Sequence, residues 1–181
     1  MDADSIAVSP TAAARVVVPH SPMAKIMHWG FALFFVYALT KQLDAVEQLE
    51  DVALLRYEMV FAALLLALLL ARFIFMRTTR PTALPQATPA RTKRWANVVH
   101  LAMYASVALI ALSGLGIGGL YWSGIKTGPA MHSALVVHEI AVHASYILIM
   151  GHVAAAAWHR RQGDGIWNAM VPLWKESKTR R

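Results

Sequence analysis

Four long apolar runs alternate with polar connections along the chain. The first lies in "KIMHWGFALFFVYALTKQL", from about Ile26 to Leu39, and reaches spanning length only when its flanks are included. The second is "MVFAALLLALLLARFIFM", Met59 to Met76, and the third is "WANVVHLAMYASVALIALSGLGIGGLYW", Trp95 to Trp122. The fourth, "ALVVHEIAVHASYILIMGHVAAAAWHRR", runs from Ala134 to Arg161. A helix needs about 20 mostly apolar residues to cross roughly 30 Å of hydrocarbon. All four qualify once their polar ends sit at the interface. Trp29, Trp95, Trp122 and Trp158 fall near the run ends, where amphipathic rings favour the headgroup region. The pattern predicts an all-α, integral membrane four-helix bundle.

Composition agrees. Of 181 residues, 57% are hydrophobic and 15% charged, and the mean hydropathy is +0.47. Such a balance does not suit a water-soluble domain. With no cysteine there is no disulfide framework, zinc finger or covalent c-type haem attachment. The net charge of +7 flanks apolar runs, so anionic lipid, not nucleic acid, is the expected counter-charge. Arg77, Arg80, Arg91, Lys93 and Arg94 crowd the second connection, and Arg160, Arg161, Lys175, Lys178, Arg180 and Arg181 the tail. The first connection instead carries Asp44, Glu47, Glu50 and Asp51, and the third only Lys126. The positive-inside rule then puts both termini on the cytoplasmic side. Three regions follow: a flexible cytoplasmic arm over 1–24, the bundle over 25–161, and a basic cytoplasmic tail over 162–181. The arm is not a cleaved signal peptide, because no small-residue cleavage site follows the first apolar core. The proline-bearing "RPTALPQATPARTKR" is a linker, not a domain boundary.

The fourth run poses the chemical question, since it carries His138, Glu139, His143 and His152 inside an apolar segment. Ionisable groups in hydrocarbon are costly, rare and usually functional. His138 and His152 lie 14 residues apart (152 − 138), which is about 21 Å of rise and about 40° short of four full turns. One helix face therefore presents an imidazole near each membrane surface, as a two-level cofactor stack requires. Imidazole is a common axial ligand of haem iron, and a bis-His haem has no open site, which favours electron transfer over oxygen activation. His152 needs a partner at equal depth, either His28 or His100. A water-lined proton path or interhelical hydrogen bonds would use the same residues.

The sequence resembles the bacterial cytochrome b561 family of four-helix, di-haem, quinone-linked cytochromes. The likeness extends from about Lys25 to Pro172 and rests on "HW" at His28, "ARFIFMR" closing the second run, and "HLAMY" at His100. "HE" at His138, "HVAAAAWHR" from His152 and the ending "GDGIWNAMVP" complete it. The resemblance implies that His28 and His152 hold the iron of an inner haem b, and that His138 supplies one ligand of an outer one. It implies a helix-two histidine 14 residues before Arg72, but that position is Glu58. Glu58 is a carboxylate ligand, a proton site or an interfacial group beside Arg56. The outer haem is accordingly altered or absent; one haem is expected and a second is open. His132 and His143 are conceivable substitutes, although His143 points about 140° away from His138.

His100 is either a packed core histidine or a group beside a quinone or haem propionate. His159, Arg160 and Arg161 anchor the helix at lipid phosphates, and His20 belongs to the arm. "SGLGIGG", Ser113 to Gly119, follows no strand and so is no nucleotide loop; its small residues permit close packing or room for a porphyrin. Three functions fit. The first is a membrane cytochrome b that moves electrons between a pool of ubiquinone or another quinone and a redox partner or superoxide, an oxidoreductase of superoxide:quinone type in the latter case. The second is a haem-bearing or haem-poor anchoring subunit of a larger respiratory or photosynthetic complex. The third is a proton or metabolite carrier.

Overall fold

A computed structural model describes residues 19–41, 45–79, 84 and 88–176. The arm over 1–18, most of the proline-bearing linker and the basic residues after 176 lie outside the described residues. Four helices are long and apolar enough to cross a membrane: α1 (Pro22–Thr40), α2 (Val52–Thr79), α3 (Ala90–Trp122) and α4 (Pro129–Gln162). A 3₁₀ turn, Val46–Glu50, precedes α2, and a short α5 (Ile166–Met170) follows α4. Among the described residues there is no strand.

Each run grows at its ends for a local reason. The hydroxyl of Ser21 accepts from the Ala24 N–H at 3.2 Å, and Pro22 occupies the first turn, a favoured start for a helix. The 19 residues of α1 then span about 28 Å, so the short first run becomes just long enough. The Asp51 carboxylate accepts from the Ala53 N–H at 2.8 Å at the start of α2. Gly163, at φ +63°, ends α4 in the left-handed conformation, and its N–H bonds the carbonyls of His159 and Arg160. That is a glycine helix stop. Gly165, at φ +87°, turns the chain back on itself.

The returning segment is tied to α1. The His20 N–H donates to the Ala169 carbonyl at 3.2 Å, Lys25 Nζ to the Asn168 carbonyl at 3.4 Å, and Trp29 Nε1 to the Met170 carbonyl at 3.2 Å. The described start and finish of the chain thus share one end of the bundle, the terminal end. The connections α1–α2 and α3–α4 form the opposite, hairpin end.

Helices pack in chain order, with α4 most extensively against α3, α3 against α2, and α2 more loosely against α1. By contrast, α4 has little close backbone contact with α1 or α2. Phe35, Leu65, Leu69, Val107 and Ala111 make a core through α1, α2 and α3. Leu49, Leu55, Ile117, Tyr121 and Met131 close the hairpin end. Large apolar side chains such as Leu33, Ile74 and Ile147 face outward, as a hydrocarbon solvent allows. The buried hydroxyls of Ser106, Ser113 and Ser145 donate to carbonyls three residues or one turn earlier, so none is left without a partner in apolar surroundings.

Candidate functional site

The terminal end of the bundle gathers imidazoles from three helices. His28 of α1 and His152 of α4 stand with ring centroids 6.4 Å apart. His100 of α3 meets His152 edge-on at 5.5 Å, and Trp29 lies edge-on to His28 at 5.6 Å. His28 and His152 are half-buried, whereas His100 is exposed. The Nδ1–H of His100 donates to its own helix at the Ala96 carbonyl, 2.7 Å away. A carbonyl only accepts, so Nδ1 carries the proton and Nε2 is left with a free lone pair. Both partners allowed for His152 by depth are therefore brought to it.

Arg72 of α2 is 9% exposed, and its Nη1 is buried without a hydrogen-bond partner. Its guanidinium lies 6.0 Å from the centre of the Tyr104 ring. His20, just ahead of α1, also has a buried Nδ1 without a partner. Burial, and then the nearby charges of Lys25, Arg72 and His100, hold the His20 imidazole below its ordinary pKa. Cationic and donor groups thus converge on the histidine cluster, and among the described residues no carboxylate pairs with them. A buried unpaired charge is destabilising and normally has a partner.

These observations fit a haem. Two imidazoles on opposite faces of one metal, each bonded at about 2 Å, put their ring centres about 6 Å apart. The His28–His152 spacing of 6.4 Å matches that figure, and the open backbone spacing between α1 and α4 leaves width for a flat ring. Arg72 and His20 are the donors that a porphyrin's carboxylates would take. Among the described residues no three His, Cys, Asp or Glu side chains converge as a cage for a bare metal ion.

The hairpin-side level is built differently. Nδ1 of His138 lies 2.9 Å from Ser113 Oγ. That hydroxyl already donates to carbonyls of its own helix at Leu109 and Ile110. The bond is therefore His138 Nδ1–H to Ser113 Oγ, and Nε2 is the free nitrogen. An acceptor on one ring nitrogen fixes the orientation of the imidazole and aims the other nitrogen. Gly114 lies against the ring: a Cβ there would sit in ordinary contact, 3.6 Å from His138 Cε1 and 4.0 Å from the Ala62 methyl. One turn on, a Cβ at Gly118 would come within 2.7 Å of the Met59 side chain, so this glycine sets the close approach of α3 to α2. Glu58 is half-buried one turn from Ala62; no imidazole faces His138 from α2.

Other sequence candidates fall elsewhere. His132 and His143 are exposed, and the Nδ1–H of His143 donates to the Glu139 carbonyl at 2.9 Å. His159 pairs with Asp164 at 2.6 Å, holding the turn into α5. His20 was set aside with the arm, and its place in the cluster is the feature that sequence reasoning missed. "PHSP" ahead of the first run does carry a helix-start signal, Ser21 followed by Pro22.

A family model described as prokaryotic cytochrome b561 matches residues 19–173. Neither the curated proteins nor the solved structures give a match. The matched span holds all four spanning helices and both histidine levels, and it continues through the returning tail. The chain belongs to the prokaryotic cytochrome b561 family, multi-pass membrane proteins that transfer electrons through b-type haem.

Proposed function

We propose that this protein carries electrons between a quinone pool and a redox partner through haem b held by His28 and His152. The observation that carries this reading is the 6.4 Å spacing of those two rings across helices whose backbones stand apart. Haem b, when bound, supplies a one-electron couple whose potential depends on its axial ligands and burial. The protein's own groups do the rest. His28 and His152 would hold the iron, Arg72 would counter the charge of a propionate, His20 would hydrogen-bond one, and the apolar walls of α1, α2 and α3 would keep water out.

His100 offers Nε2 as an acceptor at the same end. There it would take the hydrogen bond of a quinol hydroxyl and hold the proton as an electron leaves. We place both termini and this site on the cytoplasmic side of the bacterial inner membrane, from the lysine and arginine asymmetry. At the hairpin level His138, oriented by Ser113, would hold one face of a second haem. Superoxide as electron donor needs that second level.

The half-buried Glu58 on α2 favours a second reading, a one-haem relay or anchoring subunit inside a larger membrane complex. A proton or metabolite carrier is the third and predicts a colourless protein. Haem per polypeptide, measured by pyridine haemochrome on detergent-purified protein with a reduced-minus-oxidised spectrum, separates the three. Two b-type haems support the complete path, one supports the relay, and none after haem-replete expression overturns the cytochrome assignment of these residues.

A further inference from the structure

The outward face of α4 is not purely apolar. Glu139 and His143, one turn apart, are both exposed, and neither side chain reaches another helix among the described residues. Their depth is fixed by their neighbours. His143 is five residues from His138 (143 − 138) and nine from His152 (152 − 143), so it lies between the two histidine levels, well inside the span. Val136, Ile140 and Ile147, on the same side, are 37%, 63% and 74% exposed. Acyl chains offer neither donor nor acceptor to a carboxyl or an imidazole. Ionisable groups at this depth almost always face a bundle interior or pair with one another.

We propose that this face pairs with the same face of a second copy of the chain, Glu139 of each copy bonding His143 of the other. The pair is self-complementary, as a two-fold interface requires. Because Nδ1–H of His143 is committed to the Glu139 carbonyl, its Nε2 is the ring nitrogen left to hydrogen-bond the carboxyl group of the other copy. In two copies running in the same direction Glu139 and His143 of facing helices are offset by one turn, about 6 Å of rise, which two long side chains can bridge, so both bonds can form at once. The rest of the contact is aliphatic, where packing supplies the attraction between helices in lipid. The proposal is independent of the haem assignment.

The chain has no cysteine, so single cysteines report the contact without background. Val136→Cys, Ile140→Cys and Ile147→Cys would be oxidised in native membranes holding the full chain, with Leu64→Cys on the exposed face of α2 as control. A covalent adduct of twice 19.9 kDa from at least one α4 position, and none from Leu64→Cys, is the expected result. Adding His143→Leu or, separately, Glu139→Leu should abolish it while the helical circular dichroism is kept. Should either leucine variant fail to fold, His143→Gln supplies the same reading. No adduct at any α4 position, an adduct only with a chain of another mass, or one that survives all these substitutions would overturn the proposal.

Discussion

The two ends of α4 carry the same residue type on nearly the same face, yet their surroundings differ. At the terminal end His152 meets His28 and His100, with Arg72 and His20 close by and no acid among them. At the hairpin end His138 meets Ser113 and Gly114, and α2 carries an acidic residue, Glu58. Equal spacing on one helix fixes where a ligand can stand. The three other helices decide whether a second ligand and a charge partner answer it. The terminal end gathers three imidazoles beside a buried guanidinium, whereas the hairpin end has one oriented imidazole.

The largest expected effect comes from breaking the better-equipped end. His152→Ala should remove one haem per chain, and His28→Ala should do the same, while His100→Ala should keep that haem and alter only quinone-linked electron transfer. Haem-to-protein ratios of the three variants check this, and full haem content in His152→Ala would sink the ligand assignment. Next in size is the attempt to make the two ends alike. Glu58→His puts an imidazole on α2 opposite His138 and should add a low-spin haem to a chain that binds one, or shift the potential of the outer haem in a chain that binds two. A redox titration followed in the visible spectrum distinguishes these results, and no change in either content or potential would show that α2 does not face that level.

The shared face of His138 and His152 was legible in the sequence because helical arithmetic survives folding. Fourteen residues are nearly four turns wherever the helix sits, and a run that long and apolar has few alternatives to spanning. The same arithmetic left His28 and His100 as equal partners of His152. The structure brings both to it, His28 half-buried and His100 exposed. What could not be read was contributed by bonds between distant segments. Ser113 reaches His138 across a helix interface, and the tail's carbonyls are bound by His20, Lys25 and Trp29 through a turn that depends on the positive φ of Gly163 and Gly165. His20 looked like part of a loose arm because nothing local marks it as docked.

Arg72 sharpens the comparison with effects of opposite sign. A buried guanidinium without a partner destabilises the haem-free protein, so Arg72→Leu should raise the thermal stability of the haem-free chain. The same change removes a charge-assisted bond to a propionate, a kind of bond worth about 1.5–3 kcal/mol, and should weaken haem binding by roughly tenfold or more. Haem titration and thermal unfolding of the two proteins, side by side, read both signs. A loss of stability without haem would mean that Arg72 serves packing alone, through Tyr104.

The smallest effect is a pH dependence of the returning tail at the terminal end. His20 has its pKa lowered by burial and by Lys25, Arg72 and His100, so the docked segment holds the neutral imidazole. Between that lowered value and the ordinary one, about 6.5, the undocked segment binds more protons than the docked one. Stability therefore rises with pH across this window. The contribution is fully present above about pH 6.5 and is lost as pH falls through the docked value. Amide exchange over Ile166–Val171, corrected for intrinsic rate, should lose protection on acidification because the His20 N–H holds the Ala169 carbonyl. His20→Gln removes the titrating group while keeping the backbone donor, so its tail should show protection independent of pH over the same range. Equal pH dependence in both proteins would overturn the assignment of the titration to His20.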